Sequence, residues 1–167
     1  DPPATHRRLA SSHTSSNLGG YPPRPSASGP SRMNVLFLDT SALLAIATDT
    51  AGRDAVLTAF DCADVVAASG LALTEALPAL DRLTDERYAR VDLEDAVRLT
   101  WDYLHIVPLD ARCTERAATL ARERPLRLSD AIHFAAADRL PSNLTYATLD
   151  PNQIPTALDL GYEVLST

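Results

Sequence analysis

Val35-Leu36-Phe37-Leu38, followed directly by Asp39, is the stretch that decides how this chain folds. Four consecutive apolar side chains do not alternate as a half-exposed strand would. They suit a central parallel strand covered on both faces. Asp39 then falls at the carboxyl end of that strand, the edge at which open parallel sheets bind their ligands.

Outward from this strand, helix-like and strand-like stretches alternate. Residues 41–48 and 53–62 read as helices, and residues 64–68 as a short strand around Val65 and Val66. Residues 70–83 read as a helix with Leu73, Leu77 and Leu80 on one stripe and a kink expected at Pro78. A helix over residues 93–103 precedes a strand at His105-Ile106-Val107, which Pro108 closes. Helices over 111–122 and 129–139, a strand over 144–149 ending at Asp150, and a last strand over 162–165 complete the pattern. Strands separated by helices imply parallel pairing with right-handed crossovers. The expected fold is an α/β three-layer sandwich, a central parallel sheet flanked by helices.

The chain has 167 residues, 46% of them hydrophobic, which suits one ordinary domain. No apolar run approaches the roughly 20 residues of a membrane span, so a soluble, cytoplasmic protein is expected. Cys62 and Cys113 belong to no CxxC pattern and read as two buried, unremarkable thiols. Residues 1–32 are rich in Pro, Ser, Gly and Arg and read as a disordered tail, with Met33 as the natural start and residues 33–167 as the folded domain. Arg7 and Arg8 lack the apolar segment of an export signal.

All 15 basic residues are arginine and none is lysine. A Walker A nucleotide site and Schiff-base chemistry both need a lysine, so both are excluded. The net charge is −7, and beyond residue 32 eleven arginines face twenty-one acids. Such a chain does not bind nucleic acid by bulk electrostatics. Any RNA contact has to come from local arginines and from cations that neutralise acids.

Four acids stand out. Asp39 and Asp150 each follow a strand, Asp130 falls in the first turn of a helix with Ser129 as its expected cap, and Glu75 interrupts an apolar helix. Each of the aspartates also has a purely structural use. Asp39 can cap the next helix, Asp130 can favour the positive end of its own, and Asp150 can open a turn with Pro151 and Asn152. Glu75 has fewer such uses, since a carboxylate near a core needs a cation or hydrogen bonds. Converging carboxylates repel one another unless a divalent cation joins them. Oxygen-only ligation favours Mg²⁺ or Mn²⁺. His6, His13, His105 and His133 show no zinc-ligand spacing, and His133 reads as a partly buried helix residue.

With those acids in place, the sequence resembles the PIN-domain ribonucleases, and among them the VapC-type toxins of bacterial toxin–antitoxin pairs. Leu38-Asp39-Thr40-Ser41-Ala42-Leu43-Leu44 is similar to the family's first motif, and Leu73-Thr74-Glu75-Ala76-Leu77 to its second. The run from Arg127 to Ala137, with Ser129-Asp130-Ala131, resembles the third, and Thr148-Leu149-Asp150 the fourth. The resemblance implies that Asp39, Glu75, Asp130 and Asp150 hold Mg²⁺ or Mn²⁺, and that Ser41 supports Asp39 or a bound water. It implies endonucleolytic cleavage of RNA, a cognate antitoxin, and a homodimer. Asp150 departs from the pattern, since it runs into Pro151-Asn152-Gln153. Arg127 is placed either to contact substrate phosphate or simply to lie on the surface. The alternative reading is a PIN-like RNA-binding or assembly module without catalysis. A receiver or aspartate-nucleophile phosphatase is disfavoured by the missing lysine.

Overall fold

The structure, a computed structural model, describes residues 32–166. Of the tail expected over residues 1–32, residues 1–31 lie outside the described residues. Strand β1 (Val35–Leu38) is buried at all four positions. Its side chains alternate between two cores, as the pleat of a strand requires. Val35 and Phe37 enter one core, and Leu36 and Leu38 the other.

After β1 come α1 (Thr40–Ala47), α2 (Arg53–Cys62), β2 (Val65–Ser69), α3 (Leu71–Leu83) and α4 (Arg87–Asp102). Then follow β3 (His105–Val107), α5 (Ala111–Glu123), α6 (Leu128–Ala137), β4 (Thr145–Ala147), α7 (Ile154–Asp159) and β5 (Glu163–Leu165). The five strands form one parallel sheet in the order β3-β2-β1-β4-β5. The core against one face draws on α1 to α4, with Leu43, Val56, Leu80 and Val97. The core against the other draws on α5, α6 and α7, with Leu120, Phe134 and Ala157. This is the expected α/β three-layer sandwich. Tyr146 stacks between Phe37 and Phe134, with ring centroids at 5.3 and 4.7 Å, and so ties the sheet to α6.

The topology fixes where a ligand site belongs. From β1 the chain builds outward through β2 to β3, then crosses back to place β4 on the other side of β1. The reversal falls between β1 and β4, so the crevice lies beyond their carboxyl ends.

Several local expectations are corrected. Helix α4 begins six residues earlier than its apolar pattern suggests, because the Glu86 carboxylate accepts hydrogen bonds from the Tyr88 and Ala89 N–H groups and caps it. Helix α7 was not expected; Pro155 sits in its first turn, where its missing N–H costs nothing. Helix α3 runs on through Pro78, whose ring and the Thr74 carbonyl it leaves unpaired both lie on the exposed side. Its deepest residues are Ala72, Ala76 and Leu80, while Leu73 and Leu77 of the expected stripe are only partly buried. Helix α6 starts at Leu128, so its cap is Arg127 and not Ser129. Cys113 is buried but Cys62 is exposed, and both are free thiols. No described helix is long and apolar enough to cross a membrane.

Candidate active site

The seam between β1 and β4 is closed by Asp39. Its N–H donates to the Ala147 carbonyl at 3.1 Å, extending the strand pairing by one residue. Its side chain then turns back as the cap of α1: Oδ1 accepts from the Ala42 N–H at 2.8 Å and from Ser41 Oγ at 2.6 Å. Oδ2 accepts from Thr148 Oγ1 at 2.7 Å. Ser41 Oγ also accepts from the Leu149 N–H at 2.8 Å, so one hydroxyl joins α1 to the segment after β4. Asp39 is only 1% exposed. Burial pushes its carboxyl above the ordinary range, and the Ser41, Thr148 and Ala42 hydrogen bonds oppose that rise. Its structural use as a cap and its place at the sheet edge coincide in one side chain.

Glu75 projects from α3 toward α6. Its Oε2 accepts from Thr40 Oγ1 and from His133 Nε2, the latter at 2.8 Å. An ionised carboxylate only accepts, so Nε2 carries a proton. His133 Nδ1 meets the Ser69 hydroxyl at 2.8 Å at the end of β2, which fixes the ring plane. The hydrogen bond from His133 lowers the Glu75 carboxyl to about 2, against the opposing effect of partial burial. His133 is fully buried, so the sequence reading of a partly buried helix residue understated it. It belongs to the polar network of the site.

Asp130 lies one turn before His133 on α6 and is 4% exposed. Arg127 grips it with a fork, Nε to Oδ2 at 2.8 Å and Nη2 to Oδ1 at 3.1 Å. The same Nη2 donates to Oδ2 of Asp150. Gln153 Nε2 donates to Asp130 Oδ1 at 2.9 Å, and Gln153 Oε1 in turn accepts from the buried Tyr146 hydroxyl at 2.8 Å. Asp150 itself sits past the end of β4, not at it, and Oδ1 accepts from the Asn152 N–H in the turn that its sequence suggested.

Ser41, Glu75, Asp130 and Asp150 all line one cleft of about 260 Å³, together with Thr40, Arg82, Arg127, Ser129, His133 and Gln153. Asp39 lies beneath it and reaches it through Ser41. The donors offered are hard oxygens, the set that suits Mg²⁺ or Mn²⁺ and not zinc. Among the described residues, no three His, Cys, Asp or Glu side chains are disposed as they stand to hold a metal ion. The reason is visible in the pairing: Arg127 already bridges Asp130 and Asp150, while His133 engages Glu75. The donor set therefore fits a hard divalent cation in kind, provided that Arg127 gives way. Ser69 and Gln153 carry no sequence signal of their own. Thr40 and Thr148 lie inside the first and fourth motifs, but neither stands out there as a site residue.

A family model, that of the PIN domain, matches residues 36–157. No curated protein matches the chain. Among solved structures, a toxin–antitoxin complex from Klebsiella pneumoniae is similar at 21% identity and TM-score 0.54, covering 71% of this chain and 89% of that one. The VapC20 toxin of Mycobacterium tuberculosis, described as cleaving the sarcin–ricin loop, is similar at 23% identity and TM-score 0.57, over 72% and 94%. VapBC2 of Rickettsia felis, bound to a promoter DNA fragment, gives 15% and 0.58, over 78% and 98%. At these identities the solved structures share the fold.

Proposed function

The chain belongs to the PIN-domain family, and from that premise we propose that it is a metal-dependent endoribonuclease, the toxin of a VapC-type toxin–antitoxin pair. The observation that carries this reading is the convergence of Ser41, Glu75, Asp130 and Asp150 on one cleft beyond the switch point of the sheet, above Asp39. Asp39, Glu75, Asp130 and Asp150 are the residues that would hold Mg²⁺ or Mn²⁺. A divalent cation bound there supplies Lewis acidity, both to activate water and to neutralise charge at the phosphodiester.

The chain's own residues prepare that chemistry. His133 and Thr40 keep Glu75 ionised and pointed at the cleft. Gln153, held by Tyr146, fixes one oxygen of Asp130. Ser41 binds Asp39 and closes the seam beneath the cleft floor. Arg127, whose side chain is 63% exposed, lines the cleft together with exposed Arg82, and these two arginines are the cleft's means of meeting a substrate phosphate. A cleft so rich in carboxylates suits a basic segment of an antitoxin, and the similar Klebsiella structure is a toxin–antitoxin complex. The homodimer rests on the family resemblance alone.

The test is cleavage of an end-labelled single-stranded RNA with Mn²⁺, with Mg²⁺, and with a chelator. Attack by water predicts metal-dependent cutting without 2′,3′-cyclic phosphate ends. Cleavage that survives chelation would overturn the metal dependence, and cyclic phosphate products would show that the 2′-hydroxyl and not water is the nucleophile. A protein that binds RNA and never cuts it would favour the non-catalytic module.

A further inference from the structure

Arg127 stands where helix physics disfavours it. It is the N-cap of α6 but makes no capping hydrogen bond from its side chain. Ser, Thr, Asp and Asn serve best at that position, and a cation there opposes the helix dipole. The side chain instead turns back on the carboxylates, with a fork on both oxygens of Asp130 and a further bond to Asp150. A bidentate guanidinium and a hard divalent cation compete for the same oxygens. Asp130 is almost fully buried, and such a charge needs a partner whenever no cation is bound.

We propose that Arg127 is a built-in counter-cation of the metal cleft. It holds Asp130 and Asp150 together while no metal is bound, and it must leave both before a metal can take them. The proposal rests on the metal-dependent reading above. Metal binding and Arg127 release are then linked, so that metal frees the guanidinium for a second anion, a phosphate of the RNA strand, at the mouth of the same cleft. By reciprocity, anything that draws Arg127 away strengthens metal binding by the same factor.

The experiment is calorimetric titration of the whole chain with MnCl₂, comparing the parent with Arg127→Ala and Arg127→Lys. Removing the guanidinium is expected to tighten Mn²⁺ binding about tenfold or more, the factor that one charge-assisted hydrogen bond represents. Arg127→Lys, which keeps the charge without the fork, is expected to fall between the two. If the parent binds Mn²⁺ and Arg127→Ala binds no tighter, the proposal falls and the metal-dependent reading stands. If neither protein binds Mn²⁺, both fall. A second measurement needs no variant to fold. In ¹⁵N spectra of the parent, the Arg127 Nε–H signal, sharp while bonded to Asp130, is expected to move and broaden as Mg²⁺ saturates. A signal that stays in place at saturation overturns the proposal.

Discussion

Replacing His133 by Asn separates the two hydrogen bonds that this ring makes. The amide oxygen of Asn can take over the role of Nδ1 as acceptor for the Ser69 hydroxyl, but nothing reaches Glu75 in place of Nε2. Glu75 sits at about 2, against its ordinary 4.5, chiefly because of that Nε2–H. Taken whole, such a depression corresponds to about 3 kcal/mol. The Glu75 side chain is 31% exposed, and solvent screening reduces this to about 1–2 kcal/mol.

The sign follows from linkage. A carboxylate depressed in the folded state adds stability above its unfolded value, and this is lost as the pH falls from about 4.5 to about 2. Asp39, raised by burial, works in the opposite direction; His133 lowers it, so losing the ring raises it further and adds to the deficit of the variant at pH 7. The assay is urea unfolding of parent and His133→Asn at pH 7 and at several values between 5 and 2.5. The variant is expected to be less stable at pH 7 by about 1–3 kcal/mol, including the space left by the ring. The gap is expected to narrow as the pH falls through that window. A gap that stays constant from pH 7 to pH 2.5 would refute the assignment of Glu75 to His133.

Two further outcomes concern the support of the site. Tyr146→Phe removes the donor to buried Gln153, leaving its Oε1 without that partner. It is expected to cost about 1–3 kcal/mol in thermal or urea unfolding, with aromatic packing intact. Parental stability would show that Gln153 is held by other means. Gly161 has φ +84° and open space around its missing Cβ. Gly161→Ala is therefore expected to cost about 1 kcal/mol through backbone strain alone, seen as a lower melting temperature with unchanged spectra of the fold.

The fold and the positions of the acids were legible in the sequence for definite reasons. An unbroken apolar strand has one good place in a parallel sheet, and β1 occupies it, buried at every position. Acids just beyond strand ends fall at the sheet edge by topology, which is how Asp39 came to be singled out. The polar network was not legible. Ser69 and Gln153 are ordinary residue types whose partners lie 64 and 23 residues away in sequence, so no local pattern records them, and the motif that holds Thr148 does not reveal its bond to Asp39, 109 residues away. His133 was undervalued for the same reason, since its partners come from β2, α3 and α1. Helix α7 escaped because it is only six residues long and follows a turn sequence, and Pro155 in its first turn does not interrupt it.

The central claim is that Glu75 and Asp130 are needed together in one metal-dependent cleft. Its most direct test is the rate at which a single RNA is cut at saturating Mn²⁺ by the parent, by Glu75→Gln and by Asp130→Asn, each first shown to be folded. Loss of either carboxylate is expected to lower the rate by about a hundredfold or more. A folded variant of either kind that cuts within a few-fold of the parent would contradict the account.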